Sequence, residues 1–123
     1  MMSNCEKLYI FNPDTDMALG SNCRNYTPPI NIQNFIRKLA LLPALYAKND
    51  SSILLPYGLN RLDASNLAYY DVVKSKNIKL VIDDDLANKS FYIIPWGWDE
   101  TLCNRLSRKG IIAVDTQNNI LDF

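Results

Sequence analysis

Short apolar runs alternate along the chain with longer stretches in which apolar residues recur at spacings of three and four. The runs predict five β-strands, over Lys7–Asn12, Ser52–Tyr57, Ile78–Ile82, Phe91–Pro95 and Ile111–Val114. The stretches between them predict amphipathic helices, over Ile32–Tyr46, Ala64–Lys76 and Glu100–Lys109. Strands that alternate with helices are typical of βαβ units and a parallel sheet.

Capping residues and one proline set the expected helix boundaries. Asn31 is a candidate cap at the start of the first helix, and Pro43 predicts a kink or break near Leu41-Leu42. Asp99 and Gly110 are candidate caps at the two ends of the last helix.

The predicted fold class is therefore α/β. We expect a three-layer, Rossmann-like domain with a mostly parallel sheet of about five short strands and helices on both faces. Residues 1–123 are enough for a single domain of this kind. The sequence stops soon after the predicted fifth strand, where such a sheet normally continues with a helix. We therefore expect it to be the N-terminal part of a longer protein.

Composition narrows the range of partners and chemistry. The chain is 48% hydrophobic, and its 13 basic and 13 acidic residues cancel, so nothing favours nucleic acid or a membrane as a partner. The sequence contains no histidine, which excludes Ser-His and Cys-His nucleophiles and His-ligated metals. Three dispersed cysteines and the absence of a signal-peptide pattern favour a reducing, cytoplasmic location.

Candidate site residues follow three of the predicted strands. The exits are Asn12-Pro13-Asp14-Thr15-Asp16, Pro56-Tyr57-Gly58 and Pro95-Trp96-Gly97-Trp98. In a parallel sheet these exits lie along one edge, where ligands of α/β proteins bind. The candidate substrate-binding residues are Asn12, Asp14, Asp16, Tyr57, Trp96, Trp98 and Arg24. We assign no catalytic residue and no metal ligand.

Each candidate also has a purely structural explanation. Turn formation and helix capping account for Asp14 and Asp16 more simply than ligand binding does. The two tryptophans either stack on a ring or cover the edge of the core. Surface solvation is the preferred role for Arg37, Arg105 and Arg108, and a solvated loop is the preferred role for residues 83–85.

Phosphate-binding motifs are absent from the sequence. The first strand is not followed by G-x-G-x-x-G, and no Walker loop occurs. Because Asn-Pro-Asp stands where a dinucleotide-binding domain places its glycines, a conventional NAD or P-loop site is excluded.

Several segments together resemble a known group of proteins. They are KLYIFNPDTDMALG, NYTPP, RKLALLPALYA, ILLP and PWGWDETLCNRL, and they span nearly the whole chain. This set resembles the N-terminal, pre-ATP-grasp region of a family of uncharacterised bacterial ATP-grasp-like proteins. The resemblance implies a Rossmann-like domain that lies on the substrate side of an ATP-dependent carboxylate–amine or carboxylate–thiol ligase and is inactive alone.

The same resemblance implies where cofactors and partners lie. No cofactor is expected in this chain, whereas ATP and magnesium are implied for the parent enzyme. The implied partners are the C-terminal domains of the same protein and a small-molecule substrate. Two alternatives stay open: a module that binds a metabolite such as a nucleotide-sugar, and a protein-interaction or homo-oligomer domain that uses Trp96 and Trp98.

Overall fold

The computed structural model describes residues 6–14, 28–87, 89–108 and 112–114, the last of these as backbone. Its five strands are β1 (Glu6–Ile10), β2 (Ser52–Leu54), β3 (Lys79–Val81), β4 (Ser90–Pro95) and β5 (Ile112–Val114). They form one sheet in the order β3-β2-β1-β4-β5, and every pairing is parallel. This is the Rossmann-like order, so the predicted fold class is confirmed.

Helices cover both faces of this sheet. The α-helices are α1 (Ile30–Lys38), α2 (Arg61–Ala64), α3 (Tyr70–Ser75) and α4 (Glu100–Arg108), and 3₁₀ turns lie at Leu42–Leu45 and Asp83–Asp85. Side chains alternate across a strand, so β1 contributes to two separate cores. Leu8 and Ile10 pack with Leu102 and Leu106 of α4. Tyr9 instead packs on the opposite face with residues of the first 3₁₀ turn and of α2 and α3.

The first predicted helix begins and ends differently from the expectation. It starts at Ile30 after Pro29, whose side chain has no group to cap it, so the assignment of Asn31 as the cap was wrong. The predicted break is confirmed, because α1 ends at Lys38 and a 3₁₀ turn containing Pro43 follows. Proline has no N–H for the α-helical ladder, which explains the change of geometry there.

The second predicted helix is two short helices rather than one. A turn separates α2 from α3, and Tyr69 within it has a φ of 73°, in the left-handed region. Backbone in this region interrupts an α-helix, so the single helix predicted over Ala64–Lys76 was wrong. Both short helices still bury apolar residues, Ala64 and Val73, against the same core.

The last helix agrees closely with its prediction. Asp99 is its N-terminal cap: its Oδ1 accepts a hydrogen bond of 2.8 Å from the backbone N–H of Leu102. Leu102 and Leu106 are buried as expected, whereas Cys103 is only partly buried. The predicted cap Gly110 lies outside the described residues.

Within the described ranges, no helix combines the length and the apolarity that crossing a bilayer requires.

Candidate functional site

A cavity of about 300 Å³ lies at the carboxyl ends of β1 and β2. Its floor is formed by Ile10 and Phe11 of the first strand exit and by Leu54 and Pro56 of the second. We call it the β1–β2 cavity. Residues of helix α1 and of helix α4 also line it, so four elements distant in sequence meet there.

Charged and polar side chains line the rest of this cavity. They are Asn12, Asp14, Gln33, Arg37, Tyr57, Asp99, Thr101, Arg105 and Arg108. Two carboxylates, three guanidinium groups and a phenol therefore face a volume at the lower limit of small-molecule sites. An apolar floor with a few polar groups around it is the usual composition of such a site.

The seven predicted site residues fall into three groups. Asn12, Asp14 and Tyr57 line the cavity, as expected for residues at strand exits. Trp96 and Trp98 do not line it. Asp16 and Arg24 lie outside the described residues.

Asn12 joins the ends of β1 and β4. Its Oδ1 accepts backbone hydrogen bonds from Trp96 at 2.9 Å and Gly97 at 3.3 Å, and its Nδ2 donates to the Gly97 carbonyl at 2.6 Å. We call this linkage the β1–β4 junction. Because β1 and β4 flank the point where the strand order reverses, Asn12 fills the position at which Rossmann-like folds usually place a ligand.

Trp96 covers the core edge beside this junction. Its ring meets Phe11 edge-to-face at 5.3 Å between centroids, and Phe11 also lies 6.5 Å from Phe35 of α1. Trp96 nevertheless remains 52% exposed and Trp98 41% exposed. The two indoles thus form an exposed rim outside the β1–β2 cavity.

Arg105 and Asp83 form a nearly buried ion pair at the wall of the cavity. Their side chains are 13% and 9% exposed. The Arg105 Nε donates to both carboxylate oxygens of Asp83 at 3.1 Å, and Nη2 also donates to the Leu55 carbonyl at 2.8 Å. The predicted surface role for Arg105 was wrong, because these three acceptors draw the guanidinium inward.

Residues 83–85 are also not the solvated loop that was predicted. They form a 3₁₀ turn in which Asp83 holds Arg105 and Asp85 pairs with Arg61. The Asp85 carboxylate also accepts the backbone N–H of Ile82 at 2.9 Å. That hydrogen bond is the main cause of the lowered pKa of Asp85, and Arg61 lowers it further.

Tyr57 and Arg37 complete the wall on the β2 side. The Tyr57 ring lies 4.2 Å from the Arg105 guanidinium carbon, which is cation–π geometry. The Arg37 Nε donates to the Tyr57 carbonyl at 3.2 Å. Gly58 has a φ of 81°, and a Cβ there would lie 3.3 Å from Arg37 Nη2, so glycine permits this close approach.

The carboxyl of Asp14 is held in an environment that disfavours its charge. Burial raises the pKa of Asp14 above its ordinary 3.8, and the negative charge of Asp99 adds to the rise. Burial also raises the pKa of Tyr57, and the nearby charge of Asp83 has the same effect. Asp14 therefore lies in a partly desolvated position, whereas Tyr57 remains 52% exposed.

The sequence offered one signal for the arginines that were missed. Arg105 lies three residues after Leu102 and directly before Leu106, so it borders the apolar stripe of α4. Arg37 likewise follows the buried Ile36 on α1. Charged residues next to a buried stripe reach the rim of a core more readily than those on the opposite face.

Within the described ranges, no group of three or more His, Cys, Asp or Glu residues is arranged to hold a metal ion. Comparisons of the chain with protein-family models, with curated proteins and with solved structures each return no significant match.

Proposed function

We propose that the β1–β2 cavity is a small-molecule site, and that the chain is the substrate-side domain of an ATP-dependent ligase of the ATP-grasp type, inactive alone. One observation carries the binding site: a cavity with an apolar floor and six ionisable side chains lies at the carboxyl edge of a Rossmann-like sheet. The ligase assignment rests on the sequence resemblance.

In this proposal the chain binds the substrate that is joined, and ATP and magnesium are held by other domains of the same protein. The absence of a glycine-rich phosphate loop in the sequence supports that division. The ionisable groups of the cavity suit a substrate that carries carboxylate or amine groups, because such groups form charge-assisted hydrogen bonds with arginine and aspartate.

We also place the protein in the cytoplasm. Cys103 is a free thiol, and burial raises the pKa of this thiol, which keeps it in its unreactive, protonated form. A reducing compartment suits such a residue.

Two titrations of the full chain test this proposal. In an amide NMR titration with a panel of amino acids, short peptides, hydroxy acids and sugars, we expect shifts at residues of the β1–β2 cavity. In calorimetry with ATP and magnesium we expect no binding. A panel without any effect on cavity residues refutes the binding site, and tight ATP binding refutes the assignment as a substrate-side domain.

A second candidate function is protein interaction through the exposed rim. The observation that favours it is the exposure of two large indoles only two positions apart in the chain, Trp96 at 52% and Trp98 at 41%. Sedimentation of the chain at increasing concentration distinguishes it: an oligomer that Trp98→Ala abolishes supports this function, and a monomer at all concentrations contradicts it.

The third candidate function is binding of a nucleotide-sugar. Stacking of a base or sugar on Trp96 and Trp98 has to occur outside the β1–β2 cavity, since neither indole lines it. A titration with UDP-glucose that shifts Trp96 and Trp98, and leaves cavity residues unchanged, supports this reading over the cavity site.

A further inference from the structure

Opposite charges face the β1–β2 cavity from its two ends. Asp14 and Asp99 lie close enough for the charge of Asp99 to raise the pKa of Asp14, and we call this pair the acidic end. Arg37 and Arg108 lie near Tyr57, and we call this pair the basic end. Arg37 donates a hydrogen bond to the Tyr57 carbonyl, and the positive charge of Arg108 is close enough to oppose the rise in the pKa of Tyr57.

Helix α4 sets the distance between these ends. Asp99 caps its first turn, and Arg108 is its last residue. Nine residues at 1.5 Å per residue place the two backbone positions about 13 Å apart along the helix axis. Because side chains on a helix lean toward its N-terminus, the guanidinium of Arg108 lies closer to Asp99 than its backbone does. Asp99 and Arg108 both line the cavity, so the cavity extends along α4 from Asp99 toward Arg108.

These charges do not neutralise one another across the cavity. Among the described residues, the ion pairs are Arg61–Asp85, Lys79–Glu6 and Arg105–Asp83. Asp14, Asp99, Arg37 and Arg108 belong to none of them. The charge of Arg105 is already satisfied by Asp83, so the basic end consists of the other two arginines.

The remaining lining combines polar groups with apolar side chains. Phe11, Ile36, Leu54 and Leu102 are among the apolar ones. A ligand that carries one charge only leaves the opposite end of the cavity without a counter-charge. A ligand with a cation at one end, an anion at the other and an apolar middle satisfies both ends at once.

We propose that the ligand of the β1–β2 cavity is an elongated zwitterion, of the class of a short peptide, with its ammonium at Asp14 and Asp99 and its carboxylate at Arg37 and Arg108. This rests on the proposed binding function of the cavity. An extended tripeptide spans about 10 Å from its amine to its carboxylate, which suits the separation of the ends. A single amino acid is too short to reach both.

Trialanine is the probe for this proposal, with three chemical controls. N-acetyl-trialanine lacks the ammonium, trialanine amide lacks the carboxylate, and alanine keeps both charges at short spacing. We expect trialanine to shift amides of the cavity in an NMR titration. Each control should bind at least about tenfold more weakly than trialanine, which is the usual effect of losing one charge-assisted contact.

Variants of the chain identify which end holds which group. Asp14→Asn should weaken trialanine about tenfold and leave the already weak N-acetyl-trialanine unchanged. Arg108→Gln should weaken trialanine similarly and leave the amide unchanged. Asp84→Asn and Lys38→Gln are matched controls, because both side chains are exposed and neither lines the cavity. The amide spectrum of each variant confirms that it is folded.

Two results refute the proposal of a zwitterionic ligand without refuting the binding site. One is equal binding of trialanine and N-acetyl-trialanine, which indicates an anion site. The other is equal binding of trialanine and alanine, which removes the requirement for length. If no member of the broader panel shifts a cavity amide, the proposed function fails as well.

Discussion

Two neighbouring places on the carboxyl edge of the sheet are built in opposite ways. At the β1–β4 junction, one amide side chain, Asn12, forms three hydrogen bonds with the facing loop and closes the space. At the carboxyl ends of β1 and β2, a cavity of about 300 Å³ is left open instead. The same edge thus has a closed half and an open half.

The difference lies in what each strand exit can bond. The backbone groups of Gly97 and Trp96 lie directly against Asn12, so their hydrogen bonds are made within the chain. At the β2 exit, the Leu55 and Tyr57 carbonyls instead accept from long side chains, Arg105 and Arg37. A long side chain can bond across a gap, whereas a short amide bonds only to a loop that lies directly against it.

The largest expected loss of stability comes from a substitution beside the β1–β2 cavity. Asp83→Ala leaves the Arg105 guanidinium nearly buried without its carboxylate. Removing one partner of such a pair should lower the free energy of unfolding by roughly 3 kcal/mol. Urea unfolding followed by tryptophan fluorescence measures it.

Asp84→Ala is the control for that change, since Asp84 is exposed and lies next to Asp83. It should shift the free energy of unfolding by about 0.5 kcal/mol or less. Equal effects of the two substitutions contradict the role given to the Arg105–Asp83 pair.

The second largest expected loss of stability is at the β1–β4 junction. Asn12→Ala removes the amide that bonds to Trp96 and Gly97. The Trp96 N–H keeps its bond to the Ile10 carbonyl, whereas the N–H and the carbonyl of Gly97 lose their bonds to Asn12. The expected loss is about 2 kcal/mol in the free energy of unfolding, again from urea titration. Asn66→Ala, at an exposed asparagine, should have almost no effect. If Asn12→Ala is equally neutral, the junction does not stabilise the fold.

A smaller effect is expected at Tyr57, whose ring lies against Arg105. Tyr57→Leu removes the aromatic face and should cost about 1 kcal/mol or less, whereas Tyr57→Phe keeps it and should cost less still. Thermal unfolding of the two variants in parallel gives the comparison. A larger loss in Tyr57→Phe assigns the stabilisation to the hydroxyl instead.

The smallest effect concerns Asp14 and depends on pH. Because burial raises the pKa of Asp14 in the folded chain, ionisation of this carboxyl opposes folding. Asp14→Asn should therefore match the unaltered chain below the ordinary pKa of 3.8, and become the more stable of the two as pH rises through the raised pKa.

The expected gain for Asp14→Asn at neutral pH is about 0.5 kcal/mol or less, since the side chain is only partly buried. Urea unfolding across this pH range measures the difference. A gain that grows toward acid pH has the wrong sign and refutes the desolvated position of Asp14.

Local pattern alone determined much of the fold. The alternation of Leu8, Tyr9 and Ile10 requires a strand with two buried faces, and the stripe containing Leu102 and Leu106 requires a helix against one of them. Pro43 and Asp99 fixed a break and a cap through their own backbone and side-chain chemistry. These features depend on neighbours in sequence, so a sequence reveals them.

Only the tertiary structure decided which polar residues face the cavity. Arg105 and Asp83 are 22 positions apart, and Asn12 and Gly97 are 85 apart. No spacing rule in the sequence encodes such a partnership, because it depends on which strands become neighbours in the sheet. The sequence determined that the strand exits carry polar residues. The strand order determined that Asn12 closes the β1–β4 junction and that Asn12, Asp14 and Tyr57 border the β1–β2 cavity.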